Sequence, residues 1–305
     1  MSSHVLAQLD AHRSRHAPQG PCPPLIVGVQ GPQGSGKTFL TSHLRDALQD
    51  EPHKLSVTVF SLDDLYLPHE ALVRVAQTHP NHALLQGRGQ PGTHDIRLGR
   101  DVFDRLKRIN DPGAGITEVK LPAFDKSKFN GEGDRVPGST VRPPVDVVLF
   151  EGWCTGFYPI DHKEVERRWT SPVIGLGDNF FKRKGYSVEE FQDINGRLEY
   201  YIPWWNSIDA FIQITPPDDH PLDFIYKWRL QQEHHMKALN GGKGMTDGQV
   251  EAFVDRYIPG YVLFNEGVVN GWVDNTGTQQ TPPWIGRGLR VQIGGDRELL
   301  QTSAF

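Results

Sequence analysis

The chain has 305 residues, 37% apolar and 23% charged, with a formal net charge of −5 and two cysteines. That is enough chain for one α/β domain with insertions. No long basic run occurs, which argues against an extended nucleic-acid footprint. No stretch approaches the ~20 consecutive apolar residues of a membrane span. Cys22 and Cys154 suit a reducing compartment better than a disulfide scaffold, so the cytoplasm is the expected location.

In chain order, residues 1–22 lack the apolar core of a secretory signal and read as a flexible N-terminal segment. Arg13, Arg15 and three histidines there leave organelle targeting open. Leu25-Ile26-Val27-Gly28-Val29 reads as a short buried strand. It runs into Gly31-Pro32-Gln33-Gly34-Ser35-Gly36-Lys37-Thr38, a complete phosphate-binding loop, and then into apolar residues at helical spacing over residues 39–48. The glycines let the backbone wrap a phosphate with several N–H groups pointing inward, and the new helix adds its positive end. In such a loop Lys37 reaches the β- and γ-phosphates, and the Thr38 hydroxyl binds Mg²⁺.

Residues 55–60 read as a second strand ending at Asp63-Asp64, and residues 145–150 as a third ending at Glu151. A fourth, over 209–214, closes on Pro216-Pro217, and a last one spans 288–293. Glycine- and proline-rich turns crowd residues 87–142, too long for a plain crossover and therefore read as a substrate-loop insertion. Residues 152–206 form a second insertion, largely helical in pattern. Its aromatic run, Tyr200-Tyr201-Ile202-Pro203-Trp204-Trp205, reads as core packing before pocket lining. Strands alternating with helices predict a mostly parallel sheet with helices on both faces, in one domain with a lid. The region after Gly271 suggests only the last strand and its approach.

Ligands of open parallel sheets bind beyond the carboxyl ends of the strands. Asp63, Asp64 and Glu151 fall there, beside the phosphate loop. Phosphoryl transfer needs a group that orients the acceptor hydroxyl and an acid that holds Mg²⁺. Asp63-Asp64 suits the first role and Glu151, after an apolar strand, the second. The competing reading is that one aspartate caps the next helix. No Asn-Lys-x-Asp occurs, which excludes the usual guanine site and leaves a small-molecule kinase as the best fit to this length.

Further segments complete an ordered set: Leu62-Asp63-Asp64-Leu65-Tyr66-Leu67, Gly87-Arg88-Gly89-Gln90-Pro91-Gly92-Thr93-His94-Asp95, and Leu121-Pro122-Ala123-Phe124-Asp125-Lys126-Ser127. They continue with Gly131-Glu132-Gly133-Asp134-Arg135, Phe150-Glu151-Gly152-Trp153, Trp228-Arg229-Leu230-Gln231-Gln232-Glu233 and Gly244-Met245-Thr246-Asp247. With the phosphate loop they resemble D-glycerate 3-kinase and its fungal ATP-binding relatives, within the phosphoribulokinase/uridine kinase group of P-loop kinases. The resemblance runs over most of residues 25–265.

It implies a P-loop NTPase fold, with a five-stranded parallel sheet flanked by helices, and ATP as phosphoryl donor. It implies Asp63 as catalytic base with Asp64 in reserve, Glu151 as the metal-holding acid, and Arg229 in the lid. Leu65 stands where the group has Phe. An anionic acceptor needs positive groups near the base, and Arg88, Lys126, Lys128 and Arg135 lie in the intervening loops. His94, Asp95 and Tyr66 are candidates for the acceptor's hydroxyls, and Arg183 or Lys184 for closing over the phosphates. The expected activity is transfer of the γ-phosphoryl of Mg-ATP to a small hydroxy acid, D-glycerate first. A nucleoside or pantothenate kinase, or an ATP-binding regulatory protein of the same fold, are the alternatives. Monomer and homodimer stay open.

Overall fold

The computed structural model describes residues 1–17, 20–217, 222–239, 241–274 and 276–305. Pro18, Gln19 and Asn275, which belong to the N- and C-terminal regions discussed above, lie outside them.

Helix α1 (Ser2–His16) comes first, followed by β1 (Leu25–Gln30), α2 (Lys37–Gln49) and β2 (Val57–Ser61). Helices α3 (His69–Thr78) and α4 (Ile96–Lys107) lead to the antiparallel hairpin of β3 (Val119–Asp125) and β4 (Asp134–Val141). After β5 (Val147–Gly152) come α5 (His162–Thr170), α6 (Phe180–Arg183), α7 (Val188–Leu198) and α8 (Ile202–Trp205). Next are β6 (Ala210–Thr215), α9 (Asp223–Leu239), α10 (Asp247–Asp255), α11 (Ile258–Phe264) and α12 (Gly267–Asn270). A short pair, β7 (Trp272–Val273) with β8 (Gln279–Gln280), precedes β9 (Gly288–Ile293) and β10 (Leu299–Ala304).

The main sheet runs β10-β9-β6-β1-β5-β2. Strands β2, β5, β1, β6 and β9 are mutually parallel. Every residue of the central β1, β5 and β6 is buried, as near-continuous apolar runs require when helices cover both faces. These five parallel strands are the expected ones, and the sheet carries a sixth beyond them. β10 adds antiparallel to the β9 edge, and all its residues are exposed. A strand with no buried face leaves no apolar periodicity to read.

The N-terminal expectation is corrected. Residues 2–16 are not a free tail but a helix docked on the sheet, with Val5 and Leu9 buried against the core that holds Val27, Leu44 and Val147. Arg13 adds an ion pair to Asp146 at 2.6 Å. Two apolar residues one turn apart make too thin a stripe to signal an amphipathic helix in sequence. Residues 87–142, read as loops, contain helix α4, capped by Asp95, and the β3–β4 hairpin. Residues 152–206 carry α5 to α8, with Tyr201, Trp204 and Trp205 fully buried in the core.

Strand register levels the chemistry. Ser61 of β2 and Val29 of β1 both pair with Glu151 of β5, so the turns after β1 and β2 leave the sheet beside that carboxylate.

Candidate active site

The phosphate loop bridges β1 and α2. Gly34 and Gly36 hold φ of 76° and 87°, a left-handed backbone that side chains resist. A Cβ on Gly34 would also lie 2.7 Å from the Arg229 backbone nitrogen, so α9 packs directly on the loop. Gly36 is the N-cap of α2, which places Lys37 and Thr38 in its first turn, beneath the positive end of the helix. Inside the loop, Ser35 Oγ donates to the Pro32 carbonyl at 2.8 Å, and Lys37 Nζ reaches the same carbonyl at 3.4 Å. Burial pushes the Lys37 ammonium down in pKa, while Glu151 and then Asp63 hold it up. Gly31 abuts Ile214 of β6 and the Lys37 stem.

Thr38 Oγ1 donates to Glu151 Oε1 at 3.3 Å, which brings together the two residues expected to hold the metal. Asp63 sits in a single 3₁₀ turn over Leu62–Leu65 that follows β2 directly. Its Oδ1 accepts from Tyr66 Oη at 2.9 Å, and its Oδ2 pairs with Lys126 Nζ at 2.5 Å. Burial pushes the Asp63 carboxyl up, but Lys126 and the Tyr66 hydroxyl outweigh it and bring it to about 2. Asp64 takes the other job weighed above: it caps. Its Oδ2 accepts from the Ser61 N–H at 2.9 Å, and Ser61 Oγ in return accepts from the Asp63 N–H at 3.2 Å. The structure therefore places Asp64 as the brace of the turn that presents Asp63.

Beside Asp63, His94 is buried and stacked on Tyr66, with ring centroids 4.6 Å apart. Tyr201 Oη accepts from the Gly92 N–H at 2.9 Å and lies 2.7 Å from His94 Nδ1, which leaves the Tyr201 proton for that nitrogen. His94 Nε2 then carries the ring N–H, buried and without a partner. Burial pushes His94 down to about 3, so it is a neutral donor. Asp95 departs from expectation: one oxygen caps α4 through the Leu98 N–H, and the other accepts from Arg135 at 3.1 Å. Arg135 also donates to the Tyr66 carbonyl at 2.7 Å, so it braces the Tyr66 turn. Arg88 lies over the Phe124 ring and donates to the Gly131 and Glu132 carbonyls, tying its loop to the β3–β4 hairpin.

Several expected phosphate contacts are engaged elsewhere. The Arg229 guanidinium pairs with Glu233 at 2.8 Å and lies over Phe253, 5.3 Å from the ring centroid. Lys184 pairs with Asp255 at 2.6 Å, and Arg183 donates to the Leu176 carbonyl at 2.7 Å. Lys128 begins the 3₁₀ turn at Phe129–Gly131 and lies exposed. The arginine that touches the loop is Arg297, from the β9–β10 turn. Its Nε donates to the Gly34 carbonyl, its Nη2 to the Trp228 carbonyl and its Nη1 to Gln231, each at 2.8 Å.

The yeast (Saccharomyces cerevisiae) protein "Probable ATP-dependent kinase TDA10" is 38% identical over 245 residues, covering 79% of this chain and 78% of its own. A structure of D-glycerate 3-kinase from Cryptococcus neoformans is 42% identical, covers 100% of this chain and 97% of its own, and superposes with a TM-score of 0.88. The chain belongs to this family of P-loop kinases. The chloroplastic D-glycerate 3-kinase of Arabidopsis thaliana is 35% identical over 84% of this chain and 51% of its own length. No family model matches the chain.

This kinase is thus an ATP-using phosphotransferase that acts on a hydroxyl acceptor of small size. Among its described residues no helix is long and apolar enough to cross a membrane. Three tyrosines complete the site beyond any motif. Tyr261 Oη accepts from the Gln33 N–H at 3.0 Å, Tyr201 orients His94, and Tyr257 is buried near Asp63, Lys126 and Arg88. Burial pushes Tyr257 up to about 12, so it stays a protonated donor. A cavity of about 670 Å³ opens beside Pro32 and Tyr261, but Lys37, Thr38, Asp63 and Glu151 do not line it. Those four residues gather instead where the phosphate loop meets the Asp63 turn.

Proposed function

We propose that this kinase transfers the γ-phosphoryl group of ATP to a hydroxyl of D-glycerate, giving 3-phosphoglycerate. The observation that carries the reading is the Lys126–Asp63 pair, 2.5 Å apart at the mouth of the phosphate loop. A cation held against the acceptor-side carboxylate is a ready partner for an acidic substrate. The likeness to D-glycerate 3-kinases supports the same acceptor.

The acceptor's carboxylate would draw Lys126 toward itself, with Arg88 nearby and the unpartnered His94 Nε2–H free to donate to an acceptor oxygen. Asp63, released from Lys126, regains basicity and orients the hydroxyl. That oxygen forms its bond to the γ-phosphorus as the bond to the β–γ bridging oxygen breaks. The hydroxyl proton passes to Asp63, and ADP leaves. Such a transfer relies more on position and charge than on a strong base. Lys37 would neutralise charge on the moving group, and the loop N–H groups would hold the β-phosphate. Thr38 Oγ1 and Glu151 Oε1 are hard oxygen donors that fit Mg²⁺, which would supply further charge neutralisation. Arg297 and Tyr261 fix the loop from outside.

ADP release should be measured with Mg-ATP against D-glycerate, glycerol, pantothenate and uridine, with Asp63→Asn alongside. D-glycerate-dependent turnover that collapses in the variant supports the proposal. ATP binding that no acceptor stimulates would move the protein to an ATP-binding regulator.

A further inference from the structure

Outside the catalytic crevice, His12, His16 and Cys22 converge where α1 meets the lead-in to β1. Each offers one ligand atom, and these atoms lie within 4.8 Å of one another. The two histidines stand one turn apart on the same face of α1, with ring centroids 4.3 Å apart. The histidines' hydrogen bonds fit ligation, while Cys22 Sγ donates to the Pro23 carbonyl at 3.4 Å and would give up that contact to bind. His12 Nε2 lies 3.0 Å from the Pro23 carbonyl, and His16 Nδ1 lies 2.9 Å from the His12 carbonyl. A ring nitrogen facing a carbonyl must carry the proton, which leaves the lone pair on the other nitrogen of each ring. This is the tautomer control that backbone carbonyls give metal-binding histidines. His12 is 2% exposed, and its Nδ1 is buried with no hydrogen-bond partner. A buried lone pair without a donor is costly unless something fills it.

We propose that His12, His16 and Cys22 form a binding site for a borderline-soft divalent cation of the Zn²⁺ class. Two imidazoles and a thiolate suit Zn²⁺ or Co²⁺ and not Mg²⁺, so the site does not compete for the metal of phosphoryl transfer. The fourth position is left to water. Zinc–ligand bonds of about 2.0–2.3 Å require the three atoms to draw in by about 1 Å, within the reach of side-chain rotation. Binding exchanges the Cys22 thiol proton for the metal: the S–H bond breaks, a metal–thiolate bond forms, and one proton goes to solvent. The ion would staple α1 to the start of β1, tying down the N-terminal helix without touching the crevice. The proposal does not depend on the identity of the phosphoryl acceptor.

Co²⁺ titrated into the full chain provides the test. One equivalent should bind with thiolate-to-cobalt absorption in the near ultraviolet, release a proton, and be displaced by Zn²⁺. Zn²⁺ should also raise the thermal transition. Cys22→Ser should lose the charge-transfer band, and His16→Asn should lose stoichiometric binding. Both variants should keep the metal-free thermal transition and kinase activity of the parent, which separates lost ligation from lost folding. Failure of Co²⁺ to bind, or a band that persists in Cys22→Ser and vanishes in Cys154→Ser, would overturn the site.

Discussion

Replacing Lys126 by methionine keeps most of the stem and removes the charge that sits 2.5 Å from Asp63 Oδ2. In the parent, burial alone would raise the Asp63 carboxyl above its ordinary 3.8, and Lys126 with Tyr66 brings it to about 2. Without Lys126 burial dominates, so the carboxyl should titrate at or above 3.8, a rise of about 2 units, equivalent to about 2.5 kcal/mol. That is an upper figure, because the Lys126 side chain is 55% exposed and solvent screens the pair. The sign follows from the depressed carboxyl. The pair stabilises the fold above the unfolded value of 3.8, and this contribution fades as pH falls toward 2.

The kinetic consequence has two parts. The acid limb of kcat/KM, which reports groups of the free enzyme, should move up by about 2 units in Lys126→Met. Discrimination should also change, since a cation–carboxylate hydrogen bond is worth about 1.5–3 kcal/mol, or roughly 10- to 150-fold. D-glycerate and glycerol differ in that carboxylate. The ratio of their kcat/KM values, read from coupled ADP release between pH 4 and 8, should fall by about that factor. Lys126→Arg should recover part of it. An unchanged ratio in Lys126→Met would refute the assignment of Lys126 to the acceptor's carboxylate, even in an enzyme that phosphorylates D-glycerate.

Lys37→Ala should lower kcat by at least about 100-fold, the usual loss of a group that meets charge developing in the transition state; near-normal turnover would contradict the loop assignment. Arg297→Ala removes the only side-chain donor seen on the Gly34 carbonyl among the described residues. It should raise the KM for ATP about five- to thirty-fold, or about 1–2 kcal/mol, with kcat little changed; an unaltered ATP KM would show that the loop holds itself. Leu9→Ala should destabilise by about 2–5 kcal/mol in denaturant titration, since Leu9 is 2% exposed in the core shared with Val27 and Val147. A cost below about 0.5 kcal/mol, as for a surface site, would mean that α1 is not docked in solution.

The central sheet was legible because β1, β5 and β6 are buried on both faces and read as near-continuous apolar runs, broken only by Gln30, Glu151, Gln213 and Thr215 at or near their carboxyl ends, a signal contained within six residues. The elements that escaped lack such a signal. α1 docks chiefly through Val5 and Leu9 on a mostly polar helix, and β10 buries nothing. Their places depend on partners distant in sequence: Asp146 for Arg13, and β9 for β10.

The site divides along the same line. Gly34, Gly36, Lys37 and Thr38 are fixed by local geometry, because a loop that wraps phosphate between a strand and a helix tolerates few other residues. Asp63 could be placed beyond β2, but its neighbour could not be assigned, because a carboxylate that caps and one that meets substrate are spelled alike. Only the Asp64–Ser61 bond separates them. Tyr257, Tyr261 and Arg297 had no legible motif, and Tyr201 lay in an aromatic run read first as core packing, because their partners are distant in sequence: Tyr201 acts on His94, Tyr261 on Gln33 and Arg297 on Gly34. Arg229, placed by resemblance, packs its backbone on the loop while Glu233 holds its guanidinium. Glu233 holds Nη1 of that guanidinium, so the reach of Arg229 toward phosphate depends on the pair. Glu233→Gln then becomes informative: freeing the guanidinium should tighten ATP binding if Arg229 reaches the phosphates, and should only destabilise α9 if it does not.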